Sequence, residues 1–152
     1  MLTSRLRYLD RPEREEDIDL LALLAEEGAR CGAEIAGEPI MIRGELRTLR
    51  PLLRNLLENG FRHGGHKVKA VVKRTGANEA LLSVEDNGPG IAEDESEREF
   101  EPFYRSQCAD TSRNDTGVGL GLALVRQIAR HYGGDARVCA PRGPGARIEV
   151  TL

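Results

Sequence analysis

Apolar positions recur along this chain in two rhythms, one of about 3.6 residues and one of 2, which mark helices and strands respectively. From Ile18, apolar or small residues fall at Leu21, Ala25, Gly28, Gly32 and Ile35. That face predicts a helix ending near Ala33, with Asp17 or Asp19 as its cap. Pro39 precedes a short strand at 40–43. A second helical stripe, Leu46, Leu49, Leu53, Leu56 and Gly60, widened by Leu52 and Leu57, predicts a helix over 45–63. Pro51 inside it lacks a backbone donor and implies a kink or a start shortly before it. Residues 67–74 (KVKAVVKR) and 79–85 (EALLSVE) read as strands paired in a hairpin about a turn at 75–78. After a long polar stretch, Leu120, Leu124, Ile128 and Tyr132 line a helix stopped by Gly133 and Gly134. Strands at 135–140 and 146–152, joined by the turn PRGPG, complete the chain. The order predicts a two-layer α/β sandwich, a mixed sheet of about five strands with about three helices on one face.

Composition narrows this picture. At 152 residues the chain fits one domain. Aromatics are only 4% and Trp is absent, so the core must come from Leu, Ile, Val and Ala. With 22 basic and 25 acidic residues interspersed, no basic block points to nucleic acid. Cys31, Cys108 and Cys139 form no CxxC pair and read as reduced thiols of a cytoplasmic protein. His63 and His66 have no further ligand at zinc spacing and read as surface histidines. No apolar run is long enough to span a bilayer, so no direct membrane contact is expected of this segment.

The chemistry concentrates in two glycine clusters and one helix face. The first cluster, VEDNGPGI (84–91), ends an apolar strand with Asp86 and then breaks the backbone at Gly88, Pro89 and Gly90. An ionised carboxylate only accepts hydrogen bonds, which suits the exocyclic amino group of adenine and not the oxygen of guanine. Gly88 and Gly90 admit a flat base without a Cβ in the way; an ordinary DNG turn is the plainer alternative. The second cluster, GVGLGL (117–122), opens an apolar helix with Gly117, Gly119 and Gly121, where bare N–H groups can hold phosphate. Its alternation fits neither the dinucleotide fingerprint nor a Walker loop, and close helix packing would also explain it. On the helix 45–63, Asn55, Asn59 and Arg62 or His63 share a face apart from the leucines. An asparagine carbonyl is a hard oxygen donor suited to Mg²⁺, and a cation one turn on can meet phosphate; a solvated face is the competing reading, as it is for Glu58. Between the clusters, 92–116 is too long for an ordinary connection and carries the aromatic cluster 100–104.

Taken in order, these segments resemble the ATP-binding catalytic domain of sensor histidine kinases, within the wider superfamily that includes gyrase, Hsp90 and MutL. NLLENGFRH (55–63) is similar to the N box, VEDNGPGI to the G1 box, FEPFYR (100–105) to the F box and GVGLGLALV (117–125) to the G2 box. The resemblance spans about 17–152 and implies the fold already expected. It implies ATP and Mg²⁺ as cofactors. Asp86 would meet the adenine amino group, with Gly88, Gly90 and Ile91 around the base. Asn59 would be the metal ligand and Asn55 its neighbour, the two carrying the catalytic role; Arg62 and His63 would contact phosphate. Gly117, Val118, Gly119, Leu120, Gly121 and Leu122 would form the phosphate end. Residues 92–118 would be an ATP lid, anchored by Phe100 and Phe103, with Arg105 and Arg113 as polar lid contacts.

The chain departs from the family at two positions and in one absence. Gly60 stands where Ala is usual, a swap worth about 1 kcal/mol in a helix, and Pro51 is unusual. No histidine lies in the context of a phosphoacceptor, so the chain looks like a catalytic domain cut from a longer kinase, with 1–16 as a linker or the tail of the phosphoacceptor hairpin. The resemblance implies transfer of the γ-phosphoryl group to a histidine of that separate dimerisation domain, and a cognate response regulator downstream. It places the chain in the cytoplasm, as the inner part of a membrane sensor if one exists. The alternatives are a non-catalytic nucleotide-binding module and an anti-sigma-type serine kinase; FEPFYR counts against the latter.

Overall fold

The computed structural model describes residues 15–62, 67–87, 100, 121–139 and 145–152. Its elements are β1 (Glu16–Asp19), α1 (Leu20–Cys31), β2 (Glu34–Gly37), β3 (Met41–Gly44), α2 (Leu46–Arg62), β4 (Val68–Gly76), β5 (Glu79–Asp86), α3 (Gly121–His131), β6 (Ala136–Cys139) and β7 (Arg147–Thr151). Five strands form a mixed sheet in the order β2-β4-β5-β7-β6. Only β2 and β4 run parallel; the other neighbours are antiparallel. The expected α/β sandwich is therefore present, with three helices.

The number of strands agrees with the expectation, but the set differs. The segment expected as a strand at 40–43 is β3, and it pairs with β1 in a separate ribbon, Ile18 opposite Ile42. Glu16, expected in the linker or hairpin tail, and Asp17, expected as a candidate cap, belong to that ribbon. The fifth strand of the main sheet is instead β2, whose Ile35 continues the helical stripe past the expected helix end near Ala33. The coincidence has a spatial reason. Ile35 folds back against α1, and a Cβ on Gly28 would lie 2.6 Å from its Cγ1. Apolar spacing reports the shared core and not the element that supplies it.

Caps decide where α1 begins and ends. Asp19 accepts a hydrogen bond from the Ala22 N–H at 3.0 Å, which starts the helix two residues later than expected from Ile18. Gly32, in the left-handed conformation at φ 85°, closes it by donating to the Gly28 carbonyl. In α2 the first turn forms ahead of Pro51, since the Glu45 carbonyl accepts from Thr48 and Leu49. Pro51 then lies inside the helix, five residues after its start at Leu46.

The core lies between the helices and one face of the sheet. Leu20, Leu24, Leu49, Leu52, Leu53, Leu56, Leu57, Leu82, Val125, Ile128 and Val150 are essentially inaccessible, as the aliphatic composition requires. On α3 the buried face is Gly121, Leu122, Val125, Ile128 and Ala129. That face is rotated from the expected line through Leu124 and Tyr132, which are only partly buried.

Candidate nucleotide-binding site

The leucine stripe of α2 seats that helix on the sheet and thereby decides what its other face meets. Asn59 is only 5% exposed, whereas its neighbour Glu58 is exposed. A solvated face would leave both in water; a carboxamide taken out of water needs partners to offset its desolvation. Asn55, one turn earlier, donates from Nδ2 to the Pro51 carbonyl at 2.8 Å, which fixes the orientation of its Oδ1. A Cβ on Gly121 would lie 3.3 Å from that oxygen. The first residue of α3 is thus packed on the asparagine helix, and the third glycine of GVGLG meets Asn55 across a helix–helix contact. Arg62 is half-buried in the last turn of α2.

Asp86 ends β5 in phase with Ala80, Leu82 and Val84, so its side chain falls on the helix-covered face, 7% exposed. Its backbone is held from several directions. The Asp86 N–H donates to the Ala146 carbonyl at 3.0 Å. The Asn87 side-chain oxygen accepts from the Lys67 N–H at 3.0 Å, tying the end of β5 to the start of β4. Gly145 has φ 107°, and a Cβ there would stand 1.8 Å from the Asp86 carbonyl oxygen, so only glycine fits against the end of β5. Opposite Asp86 in register stands Val68. Its two methyls would each be 3.0 Å from a Cβ on Gly60. The glycine where the family usually has alanine therefore has a local cause: Val68 fills the space.

Phe100 is 6% exposed and packs in the core, with the Arg126 guanidinium of α3 4.0 Å from its ring centroid. Arg126 is braced from behind by Asp135. Burial pushes the Asp135 carboxyl up, but the Ala136 N–H, Arg130 and Arg126 together hold it below the usual carboxylate range. At the far end of α3, the Tyr132 hydroxyl accepts from the Glu45 N–H at 3.0 Å and hydrogen-bonds Thr48 Oγ1, locking α3 to the start of α2.

Residues 44–152 match the family described as the histidine kinase-, DNA gyrase B- and HSP90-like ATPases. The chain belongs to this ATPase family. Within the family its kinship is with sensor histidine kinases. It is 32% identical over 161 aligned residues to the sensor-like histidine kinase SenX3 of Mycobacterium tuberculosis, covering 98% of this chain and 39% of SenX3. It is 33% identical to the sensor protein RstB of Escherichia coli, covering 94% of this chain and 35% of RstB. The chain thus spans well under half the length of these relatives. Among solved structures, the mycobacterial sensor histidine kinase MprB superposes with a TM-score of 0.74 at 27% identity, covering 91% of this chain and 97% of that one. The ATP-binding domain of PrrB from Mycobacterium tuberculosis superposes with a TM-score of 0.73 at 25% identity, covering 92% and 97%.

In this ATPase-family domain, the resemblance drawn from the four motifs is confirmed at the level of family and fold. Of the residues expected at the site, the structure describes Asn55, Asn59, Arg62, Asp86, Phe100, Gly121 and Leu122. Asn55 and Gly121 meet directly; Leu122 is buried in the core. His63, Gly88, Gly90, Ile91, Phe103, Arg105, Arg113, Gly117, Val118, Gly119 and Leu120 lie outside the described residues, as do His66 and Cys108. Cys31 and Cys139 are free thiols. Among the described residues no cluster of three His, Cys, Asp or Glu side chains is placed for a metal. The buried Asn59 carboxamide fits Mg²⁺, which needs few protein ligands when phosphates and waters supply the rest. No described helix is long and apolar enough to cross a membrane. Sequence reasoning missed Gly145, Asn87 and Arg126. Asn87 had a readable signal, since an Asx side chain at a turn often binds nearby backbone; Gly145 and Arg126 act through contacts distant in sequence.

Proposed function

We propose that this chain binds Mg²⁺–ATP between α2, the end of β5 and the start of α3, and delivers the γ-phosphoryl group to a histidine on a separate dimerisation and phosphoacceptor domain. The observation that carries the reading is the burial of two polar side chains, Asn59 on α2 and the backbone-braced Asp86 at the end of β5, while Gly121 packs on Asn55. Asp86 accepts from the adenine amino group, and the Gly88, Gly90 and Ile91 segment surrounds the base. Asn59 ligates the metal, which when bound neutralises charge on the phosphates. Asn55 neighbours metal and phosphates, and Arg62 and His63 meet phosphate oxygens. Gly117–Leu122 supplies backbone donors at the phosphate end, and the segment with Phe100, Phe103, Arg105 and Arg113 covers the nucleotide. Catalysis of this kind is mostly positioning and charge stabilisation. A response regulator accepts the phosphoryl group downstream, and the chain works on the cytoplasmic side.

Calorimetry with ATP tests the reading. Binding is expected only with Mg²⁺, and Asp86→Asn, which removes the acceptor charge, should weaken it about tenfold or more. Undiminished ATP binding by Asp86→Asn would overturn the assignment of the base pocket. Mixing the chain with a cognate hairpin domain and radiolabelled ATP should label a histidine there. ATP binding without such labelling would instead make this a regulatory module.

A further inference from the structure

α2 and α3 meet at both ends. At one end, a Cβ on Gly121, the first residue of α3, would lie 3.3 Å from Asn55 Oδ1. At the other, the hydroxyl of Tyr132, the residue after α3, accepts from the N–H of Glu45, the residue before α2, at 3.0 Å. The helices therefore run antiparallel, and their spans match. At helical rise Gly121 to Tyr132 covers about 16 Å, and Glu45 to Asn55 about 15 Å.

The Tyr132 contact is a helix cap completed from another helix. The Glu45 carbonyl accepts from the Thr48 and Leu49 N–H groups and so opens α2. Thr48 Oγ1 donates to the same carbonyl at 3.0 Å, which uses its hydrogen, so the Tyr132 hydroxyl donates to Thr48 Oγ1. The circuit closes: Glu45 N–H to Tyr132, Tyr132 to Thr48, Thr48 to the Glu45 carbonyl. In a capping box the side chain three residues on returns to the N–H of the cap residue. Thr48 holds that position, and Tyr132 takes the N–H in its stead. Thr48 is 2% exposed, so water does not compete for these bonds. A Cβ on Gly44 would lie 2.6 Å from the Tyr132 oxygen, so the hydroxyl reaches Glu45 only because position 44 is glycine.

We infer that Tyr132 is a positioning residue for the nucleotide site: by completing the cap of α2 it sets the register of α3 along that helix, and so holds Gly121 against Asn55 Oδ1. This rests on the reading that Asn55 neighbours the metal and phosphates, and it adds a residue that acts only through the two helices. The register matters because the Asn55 end admits no side chain. A slip of α3 by one residue would set a leucine such as Leu122 where Gly121 now faces the oxygen, and Asn55 would have to leave its bond to the Pro51 carbonyl. The Asp86 corner, tied to Ala146 and through Asn87 to Lys67, does not depend on that register. Losing the hydroxyl should therefore weaken the hold on the phosphates and spare the hold on the base.

Nuclear magnetic resonance titrations of the whole chain, at a temperature where every variant is folded, test this. Without nucleotide, the Asn55 side-chain amide signal should move in Tyr132→Phe. Tyr132→Phe should weaken Mg²⁺–ATP binding about fivefold and leave adenosine, which has no phosphates, bound as before. Gly44→Ala, which keeps the tyrosine and displaces its hydroxyl, should do the same, and it carries the test if Tyr132→Phe does not fold. In an Asn55→Ala background, Tyr132→Phe should cause no further loss of ATP affinity. An unmoved Asn55 signal, unchanged ATP affinity, equal losses for ATP and adenosine, or additive effects of the Tyr132 and Asn55 substitutions would each overturn the inference. Failure of the natural chain to bind ATP would overturn the proposed function instead, while the Asn55 signal would still report whether Tyr132 sets the contact.

Discussion

The two faces of the five-stranded sheet come from the same strands and follow opposite rules. On the covered face Val68, Ala70, Val72, Ala80, Leu82, Val84, Ile148 and Val150 are buried under the helices. Asp86 ends that apolar row. On the open face one row across the strands reads Glu34, Lys69, Glu85, Arg147, and its members pair as Lys69–Glu34 at 3.6 Å and Arg147–Glu85 at 3.4 Å. The next row adds Glu149, bridged by Arg137 at 2.8 Å and Arg147 at 3.5 Å. An antiparallel sheet can leave one face in water when side chains alternate in this way. The difference teaches where a polar group has meaning. On the open face charge answers charge, each pair adding little. On the covered face a carboxylate is the exception, and it stands at the edge where the helices and the strand ends meet.

The sharpest way to break the comparison is to remove bulk from each face. Leu82→Ala should cost about 3 kcal/mol through lost transfer energy and a cavity. Ser83→Ala, one residue on and facing the other way, should change stability by less than about 0.5 kcal/mol. Urea denaturation of both variants would show it, and equal losses would mean that the open face is covered too.

A second test moves to ion pairs under the helices. Glu27 is buried between α1 and α2, with Arg50 at 2.8 Å and Arg54 at 3.0 Å. Burial alone raises its pKa, but hydrogen bonds from Arg54 and Arg50 outweigh this and hold the carboxyl below its ordinary value. A carboxylate depressed in the folded state adds stability that is complete above its unfolded pKa and is lost as pH falls through the folded one. Glu27→Gln should therefore cost about 2 kcal/mol at neutral pH, since both arginines keep some contact with water. It should also flatten the decline of stability on acidification below the ordinary glutamate range. Glu149 on the open face is depressed against its own burial by Arg137, the Cys139 thiol and Arg147. Its replacement by Gln should flatten the same decline, with a smaller loss at neutral pH. Stability curves measured between neutral pH and the acid transition decide the order.

Smaller effects sharpen the helix side. Tyr132→Phe removes one hydroxyl from the Glu45–Thr48 lock and should lower stability by about 1 kcal/mol. Gly60→Ala should stay within about 1 kcal/mol, because its helix preference offsets the crowding of Val68. Combined with Val68→Ala, the new methyl fills space that the valine vacates, so the double variant should be more stable than the sum of the two predicts. Strict additivity would mean that Gly60 and Val68 do not touch.

Much of this could be read before any coordinates, because the carriers were local. The leucine stripe of α2, the β4–β5 hairpin and the alternation that turns Asp86 toward the covered face are all contained in short windows. The family was legible because four motifs occur in one order, although each alone had an ordinary explanation. The failures were equally specific. Ile35 obeyed helical spacing and became a strand residue. Ile18 looked helical and joined β1. In both cases the apolar side chain did reach the shared core, and only hydrogen bonding to a distant partner decided the element.

By itself, then, the sequence determined the leucine stripe of α2, the β4–β5 hairpin and which family's motifs it carries, since these follow from periodicity, backbone chemistry and residue type. Only the tertiary structure decided that β3 leaves the main sheet and β2 enters it. It alone brought Gly121 onto Asn55, Gly145 against the Asp86 carbonyl and Arg126 over Phe100. These are contacts between segments that are neighbours only after folding, and no local pattern carries the distance between them.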